Sequence, residues 1–168
     1  MKKLVLAILA ASISCAAQAE DNINVYLGGF SKHFSERTGG RSYNEVHNNM
    51  GLEYETKYNE SYRTTGTYYG VGAQYMKNSL DNDSALITAN LKNKWAIDED
   101  WKVSAGVMAG IQNGYPKAGK RDKSEFIPVA YPVLELDYQK VGVYGTCVPK
   151  VYTSGFCFAG FKFNAYSF

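Results

Sequence analysis

At 168 residues the chain fits one domain with a buried core, and 18 Lys plus Arg against 16 Asp plus Glu exclude a strongly basic nucleic-acid binder and an acidic tail protein. Fourteen Tyr, 16 Gly and 14% aromatic residues exclude disorder and, with low Pro and few Leu, tilt the reading to β structure. With only two His and three Cys, no zinc site is expected.

Residues 1–19 read as a bacterial secretory signal peptide. Lys2 and Lys3 form its positive region, Leu4–Ala11 its apolar stretch, and Ala17-Gln18-Ala19 before Glu20 its cleavage signature. The apolar run is short for a transmembrane anchor. Ser12-Ile13-Ser14 before Cys15 lacks the leucine of a lipoprotein signal. Removing the leader leaves a mature chain, 20–168, with equal numbers of positive and negative side chains, exported past the inner membrane.

No helical run long and apolar enough to span a bilayer follows the leader, whereas period-two alternation is widespread. Strands are expected near 23–34, 49–58, 62–76, 84–95, 101–112, 124–138, 141–149 and 155–168. Met50, Leu52 and Tyr54 alternate with Gly51, Glu53 and Glu55, and Trp101 through Ile111 alternate in the same way. Alternation is poor in the first, sixth and eighth strands. In the last, Phe156 and Phe158 share a parity with Lys162 and Asn164 while Phe161 and Phe163 occupy the other; a partly apolar interior would give this, and so would ordinary irregularity. Short turns are expected around Tyr58–Ser61, Ile97–Asp100 and Tyr138–Lys140, and mostly longer polar connections at 35–48, 77–83, 113–123 and 150–154.

Short and long connections thus alternate, as in an outer-membrane barrel with periplasmic turns and external loops. The expected fold is all-β: a single eight-stranded antiparallel up-and-down transmembrane β-barrel, monomeric, in the bacterial outer membrane. A soluble periplasmic barrel or sandwich would show the same alternation. The loop asymmetry, the Tyr and Trp load and the terminal Tyr166-Ser167-Phe168 favour the membrane. Cys147 and Cys157 remain after export, an even pair in an oxidising compartment. A hairpin turning around Tyr152 would set them opposite each other, which suits a disulfide; two buried free thiols are the alternative.

With the N-terminus periplasmic, the first and third strands run outward and bring His33 and Lys77-Asn78-Ser79 to one rim. A histidine, an amide and a hydroxyl there suit general-base, orienting and nucleophilic or hydrogen-bonding roles; solvated rim residues are the plain alternative. Three side-chain oxygens at Asp81, Asn82 and Asp83 fall short of the about six to eight that calcium takes. No metal site and no cofactor are expected.

Several short motifs, in order, resemble the lipid A palmitoyltransferase family of Gram-negative outer membranes. Tyr43-Asn44-Glu45 follows His33 across the first long loop. Lys77-Asn78-Ser79 stands where that family has Lys-Asp-Ser, and Trp95 follows. Phe126-Ile127-Pro128 and Thr146-Cys147-Val148-Pro149, with Tyr152 and Gly155, resemble its two later proline segments. The resemblance implies an acyltransferase acting on lipid A or phospholipid, with His33, Asn78 and Ser79 in the catalytic positions. Asn78 replaces the family's carboxylate, and an amide can only hydrogen-bond. The family's amphipathic N-terminal helix is missing, and Gly28 occupies a proline position.

Pro128, Pro132 and Pro149 weaken strand pairing wherever they fall. The resemblance assigns Pro128 and Pro149 to lateral lipid access between the sixth and seventh strands; bulges at strand ends are the alternative. Lys117, Lys120, Arg121 and Lys123 form a basic cluster in the third long loop, suited to lipopolysaccharide phosphates or simply solvated. The leading expectation is acyl transfer with the chain held inside the barrel. The other is a non-enzymatic barrel for adhesion, phage exclusion or envelope integrity. The interior discriminates them: Glu53, Glu55, Lys92, Lys94 and Lys102 are expected to half-fill its lower part, and they leave the filling of the upper part undecided.

Overall fold

Each stretch of alternating residues offers one apolar and one polar face, and closing the sheet on itself lets both faces be used. The computed structural model describes residues 21–36, 42–61, 64–116, 125–150 and 155–168. Its strands are β1 (Asp21–His33), β2 (Met50–Ser61), β3 (Thr64–Lys77), β4 (Asp83–Ala96), β5 (Trp101–Gln112), β6 (Ile127–Tyr138), β7 (Val141–Val148) and β8 (Phe156–Ser167). They form a closed antiparallel up-and-down barrel in chain order, with β8 pairing back onto β1. Among the described residues there is no helix. Asp21 and Phe168 exchange two backbone hydrogen bonds of 3.0 Å, closing the barrel at the end where β1 starts and β8 finishes. This is the terminal end; the opposite end carries the longer connections.

The expected turn at Tyr58–Ser61 is instead the last part of β2. Its pairing with β3 slips between Lys57 and Asn59 and again before Ser61, so an irregular ladder runs on through those polar residues. β6 starts at Ile127, later than expected, and β7 stops at Val148, so Pro149 lies just beyond the strand. The signal peptide at 1–19, the basic cluster Lys117, Lys120, Arg121 and Lys123, and Tyr152 lie outside the described residues.

Large apolar side chains point outward and are exposed around the wall, among them Leu52, Val71, Ile87, Val107, Leu134 and Phe161. The interior of the terminal half is polar and charged. Lys92 lies 2.6 Å from Glu55, 2.8 Å from Glu135 and 3.2 Å from Glu53, with all four side chains almost wholly buried. Lys162 extends the network to Glu135 at 2.6 Å and Asp137 at 2.8 Å, and Lys94 pairs with Glu55. Lys102 does not join it: at the start of β5 it is exposed. Asn24 donates to Oε1 and Asn90 to Oε2 of the Glu53 carboxylate, so both of its oxygens are hydrogen-bonded. Buried carboxylates persist only when so partnered.

β1 changes parity partway up. Asn24 and Tyr26 face inward, then Gly28 and Gly29 oppose Gly160 alone between the Leu27–Phe161 and Phe30–Ala159 pairs. Gly28 takes φ +59°, a left-handed conformation that favours glycine. Beyond this bulge Phe30 and Lys32 face outward and Ser31 and His33 inward, which accounts for the broken alternation of that strand.

Cys147 and Cys157 sit opposite each other on β7 and β8 and form a disulfide. It lies where β7 has already lost its partner on the other side, since the β6–β7 ladder ends at Leu134–Gly145.

Lys92→Met should strand three buried carboxylates without their central cation. We expect a loss of about 3–5 kcal/mol, read as a lowered urea midpoint for the barrel refolded in detergent. Replacing both cysteines of the 10-residue separation by serine should cost roughly 3 kcal/mol on the chain-entropy argument, measured the same way without reductant.

Candidate functional site

Above the charged network the barrel is hollow. A cavity of about 540 Å³ opens toward the loop end, within the range of about 300–1,000 Å³ usual for ligand pockets. Met76, Leu86, Met108, Val129, Val133 and Phe158 give it a mainly apolar wall. It runs along β6 from Ile127 to Val133, about 20 Å of strand at ordinary rise. Its floor is a polar layer in which Asn49 Nδ2 donates to Gln74 Oε1 at 2.9 Å and to the Tyr144 hydroxyl at 2.7 Å. Phe156 and Phe158, whose parity with Lys162 breaks the expected pattern of the eighth strand, face into this cavity.

One side of the cavity is bounded by an unpaired stretch of wall. Among the described residues, 127–133 of β6 have no partner on β7, although β6 is paired with β5 throughout. Pro128 and Pro132 both fall in this stretch, and neither has an N–H to offer a neighbouring strand. Pro128 on one flank and Thr146 and Val148 on the other all line the cavity, so it lies directly behind the seam.

The first long loop shapes the mouth. Gly28 N–H donates to Asn49 O at 2.8 Å, His47 N–H to Gly29 O at 2.8 Å and Ser31 N–H to Glu45 O at 2.9 Å. Residues 45–49 therefore run against the upper half of β1. Each member of Tyr43-Asn44-Glu45 has a structural task. The Tyr43 ring stacks on His33 with centroids 3.8 Å apart. Asn44 donates to the carbonyls of Ser79 and Asn78 at 2.9 and 3.2 Å. Glu45 pairs with exposed Lys32 at 2.8 Å.

His33, Asn78 and Ser79 all line the cavity mouth, but their bonds run to different partners. Asn78 Oδ1 accepts from Leu80 N–H at 2.9 Å and Asn82 N–H at 3.1 Å, while Nδ2 donates to Gly114 O at 3.0 Å. These bonds hold the β3–β4 connection rather than reaching His33 or Ser79. The Ser79 hydroxyl bonds the Tyr115 hydroxyl at 3.2 Å. His33 Nδ1 is buried without a partner. Burial, and then the neighbouring His47, lower its pKa, so the neutral ring that can accept a proton is favoured. His33 stands above Lys32, whose exposed amine marks that height of β1 as rim.

A second polar pair lies deeper. Ser31 Oγ and His47 Nε2 are 2.8 Å apart, and His47 Nδ1 is 2.6 Å from the Lys77 carbonyl oxygen. Both side chains are buried and line the cavity. Neither was singled out by sequence reasoning. Ser31 faces inward only because of the bulge, and His47 belongs to a segment that reads as loop. The one available signal is that His47 is the second of only two histidines. Among the described residues no group of three His, Cys, Asp or Glu side chains is placed to hold a metal ion.

No protein-family model matches the chain, and no curated protein matches it.

Asn78→Asp keeps both acceptor bonds but sets a carboxylate oxygen against the Gly114 carbonyl. It should lower stability by about 1–3 kcal/mol, seen as an earlier urea transition, and should not raise any activity of the protein.

Proposed function

We propose that this is an outer-membrane barrel that takes one acyl chain of phospholipid or lipid A into its upper half and transfers it at the loop rim. The observation that carries the reading is the blind apolar cavity behind an unpaired seam. A barrel that only displays loops has no need to leave half its interior empty, since side chains can fill an eight-stranded barrel. An acyl chain needs an apolar slot of this kind, and a lipid held in a bilayer needs a way in through the wall.

The membrane setting is supported by the outward apolar belt and by Trp101, Tyr138, Tyr166 and Phe168 exposed at the terminal end, as an aromatic girdle would be. The signal peptide read at 1–19 gives the route of export. At the mouth, neutral His33 with its unpartnered Nδ1 would accept the proton of the acceptor hydroxyl. The Ser79 hydroxyl, with Tyr115 behind it, would hold that hydroxyl or the ester by hydrogen bonding. The seam flanked by Pro128 would admit the lipid. Lys117, Lys120, Arg121 and Lys123 would meet lipid A phosphates. The short motifs that resemble those of the lipid A palmitoyltransferases, Tyr43-Asn44-Glu45 and Lys77-Asn78-Ser79 among them, support the same chemistry.

Mass spectrometry of lipid A and phospholipids from cells with and without the protein tests this. We expect one added acyl group on the acceptor and a lysophospholipid as the other product. His33→Ala and Ser79→Ala should each remove that product while the protein still fractionates with the outer membrane and migrates differently when heated. Unchanged lipids would remove the enzyme reading and leave a binding barrel.

A further inference from the structure

We infer that acyl transfer passes through a covalent ester on Ser31, with His47 as its base; this rests on the reading that the cavity takes an acyl chain. The tautomer of His47 follows from its partners. A carbonyl oxygen only accepts, so the 2.6 Å contact with Lys77 O requires the proton to be on Nδ1. In the neutral ring Nε2 is then a lone-pair acceptor, and the Ser31 hydroxyl at 2.8 Å is the donor. A serine hydroxyl, a histidine that accepts its proton and a third group fixing the ring is the arrangement that activates a nucleophile. Here a backbone carbonyl takes the place of the orienting carboxylate.

Three further features separate this pair from an ordinary buried polar contact. Both side chains line an apolar cavity rather than being packed away from it. Ser31 is aimed there by a bulge with a glycine at φ +59°, a departure from regular pairing that the strand would otherwise avoid. His47 is held from two sides, its ring by Lys77 and its backbone N–H by Gly29 O at 2.8 Å. Ser31 pairs with Phe158 and His33 with Phe156, so Ser31 lies one inward-facing step below His33. One cavity thereby holds two histidines at two depths, His47 at Ser31 and His33 one step nearer the mouth from which an acceptor would reach the ester.

In the first step Ser31 Oγ attacks the ester carbonyl carbon of the donor, and its proton moves to His47 Nε2. The tetrahedral adduct collapses by breaking the bond to the glycerol oxygen, which takes the proton from Nε2 and leaves as a lysophospholipid. The chain is now an ester on Ser31. In the second step an acceptor hydroxyl attacks that ester and gives its proton to His47 Nε2, which on this route takes the place of His33 as the base; the adduct collapses by breaking the bond to Ser31 Oγ, which takes that proton back from Nε2. Water in the acceptor's place would give the free acid.

An octyl fluorophosphonate probe tests the covalent step directly, because a serine so activated displaces fluoride and keeps the phosphonyl group. We expect tandem mass spectrometry of the refolded wild-type barrel to place the adduct on Ser31. Ser31→Ala should abolish labelling, and His47→Gln, which can still hydrogen-bond Ser31, should slow it by about 100-fold or more. Both variants should keep heat-modifiable migration. No adduct on Ser31, or an unchanged rate in His47→Gln, overturns the inference. Acyl product in cells that survives Ser31→Ala overturns it too, while leaving the transfer reading intact. An adduct on Ser31 with no acyl product in cells does the opposite, upholding the nucleophile and removing transfer.

Discussion

The Lys92 cluster is the contact on which the rest of the barrel depends. It gathers Glu53, Glu55 and Glu135 around one ammonium, so strands β2, β4 and β6 are tied together across the interior and not only around the wall. Desolvating these groups is costly, and their mutual attraction offsets that cost only while all partners are present. The same cluster closes one end. With the Asn49–Gln74–Tyr144 layer above it, it turns an open tube into a cavity with a floor. Any occupant of that cavity must enter from the mouth or through the wall.

A barrel fixes what lies inside by parity: every second residue faces in, and a strand that keeps its register cannot change its mind halfway. β1 does change. Without the bulge at Gly28, Ser31 and His33 would stand on the outer wall and Phe30 and Lys32 would fill the mouth. One extra residue therefore puts the Ser31 and His33 side chains into the cavity, and it also lets the 45–49 segment follow the edge of β1 and carry His47 in above the floor.

This explains how much could be read from the sequence. The strand count, the closed antiparallel order and the disulfide partners follow from alternation, turn spacing and two cysteines, all of which are local signals. The charged lower interior was visible through Glu53, Glu55, Lys92 and Lys94, because these sit on clean alternating strands. Glu135 and Asp137 were hidden in the irregular sixth strand, and Lys102 was misplaced because parity alone does not show where a strand runs past the end of the interior. Ser31 and His47 were invisible for a different reason. Their facing is set by a bulge and by a loop that behaves like a strand, and neither has a periodicity to detect. Asn78 was legible as a rim residue, but its three bonds to the loop and Gly114 depend on contacts between distant segments.

On the proposed function, the wall meets two opposed demands. A closed barrel is stable because no strand has a bare edge, yet a seam admits a lipid only if two strands stop pairing. The structure divides these demands by height. Below Leu134–Gly145 the β6–β7 ladder is intact beside the ionic cluster; above it the strands separate. Pro128 and Pro132 then sit where β6 is an edge, the setting in which a residue without an N–H costs a sheet least. On the other flank the freed end of β7 is three residues, 146–148, paired to β8 alone, and the Cys147–Cys157 bond fixes it there. The disulfide thus replaces, on one side, the restraint that the open seam gives up on the other. The prolines and the cysteines, which look like unrelated sequence features, are two parts of one solution.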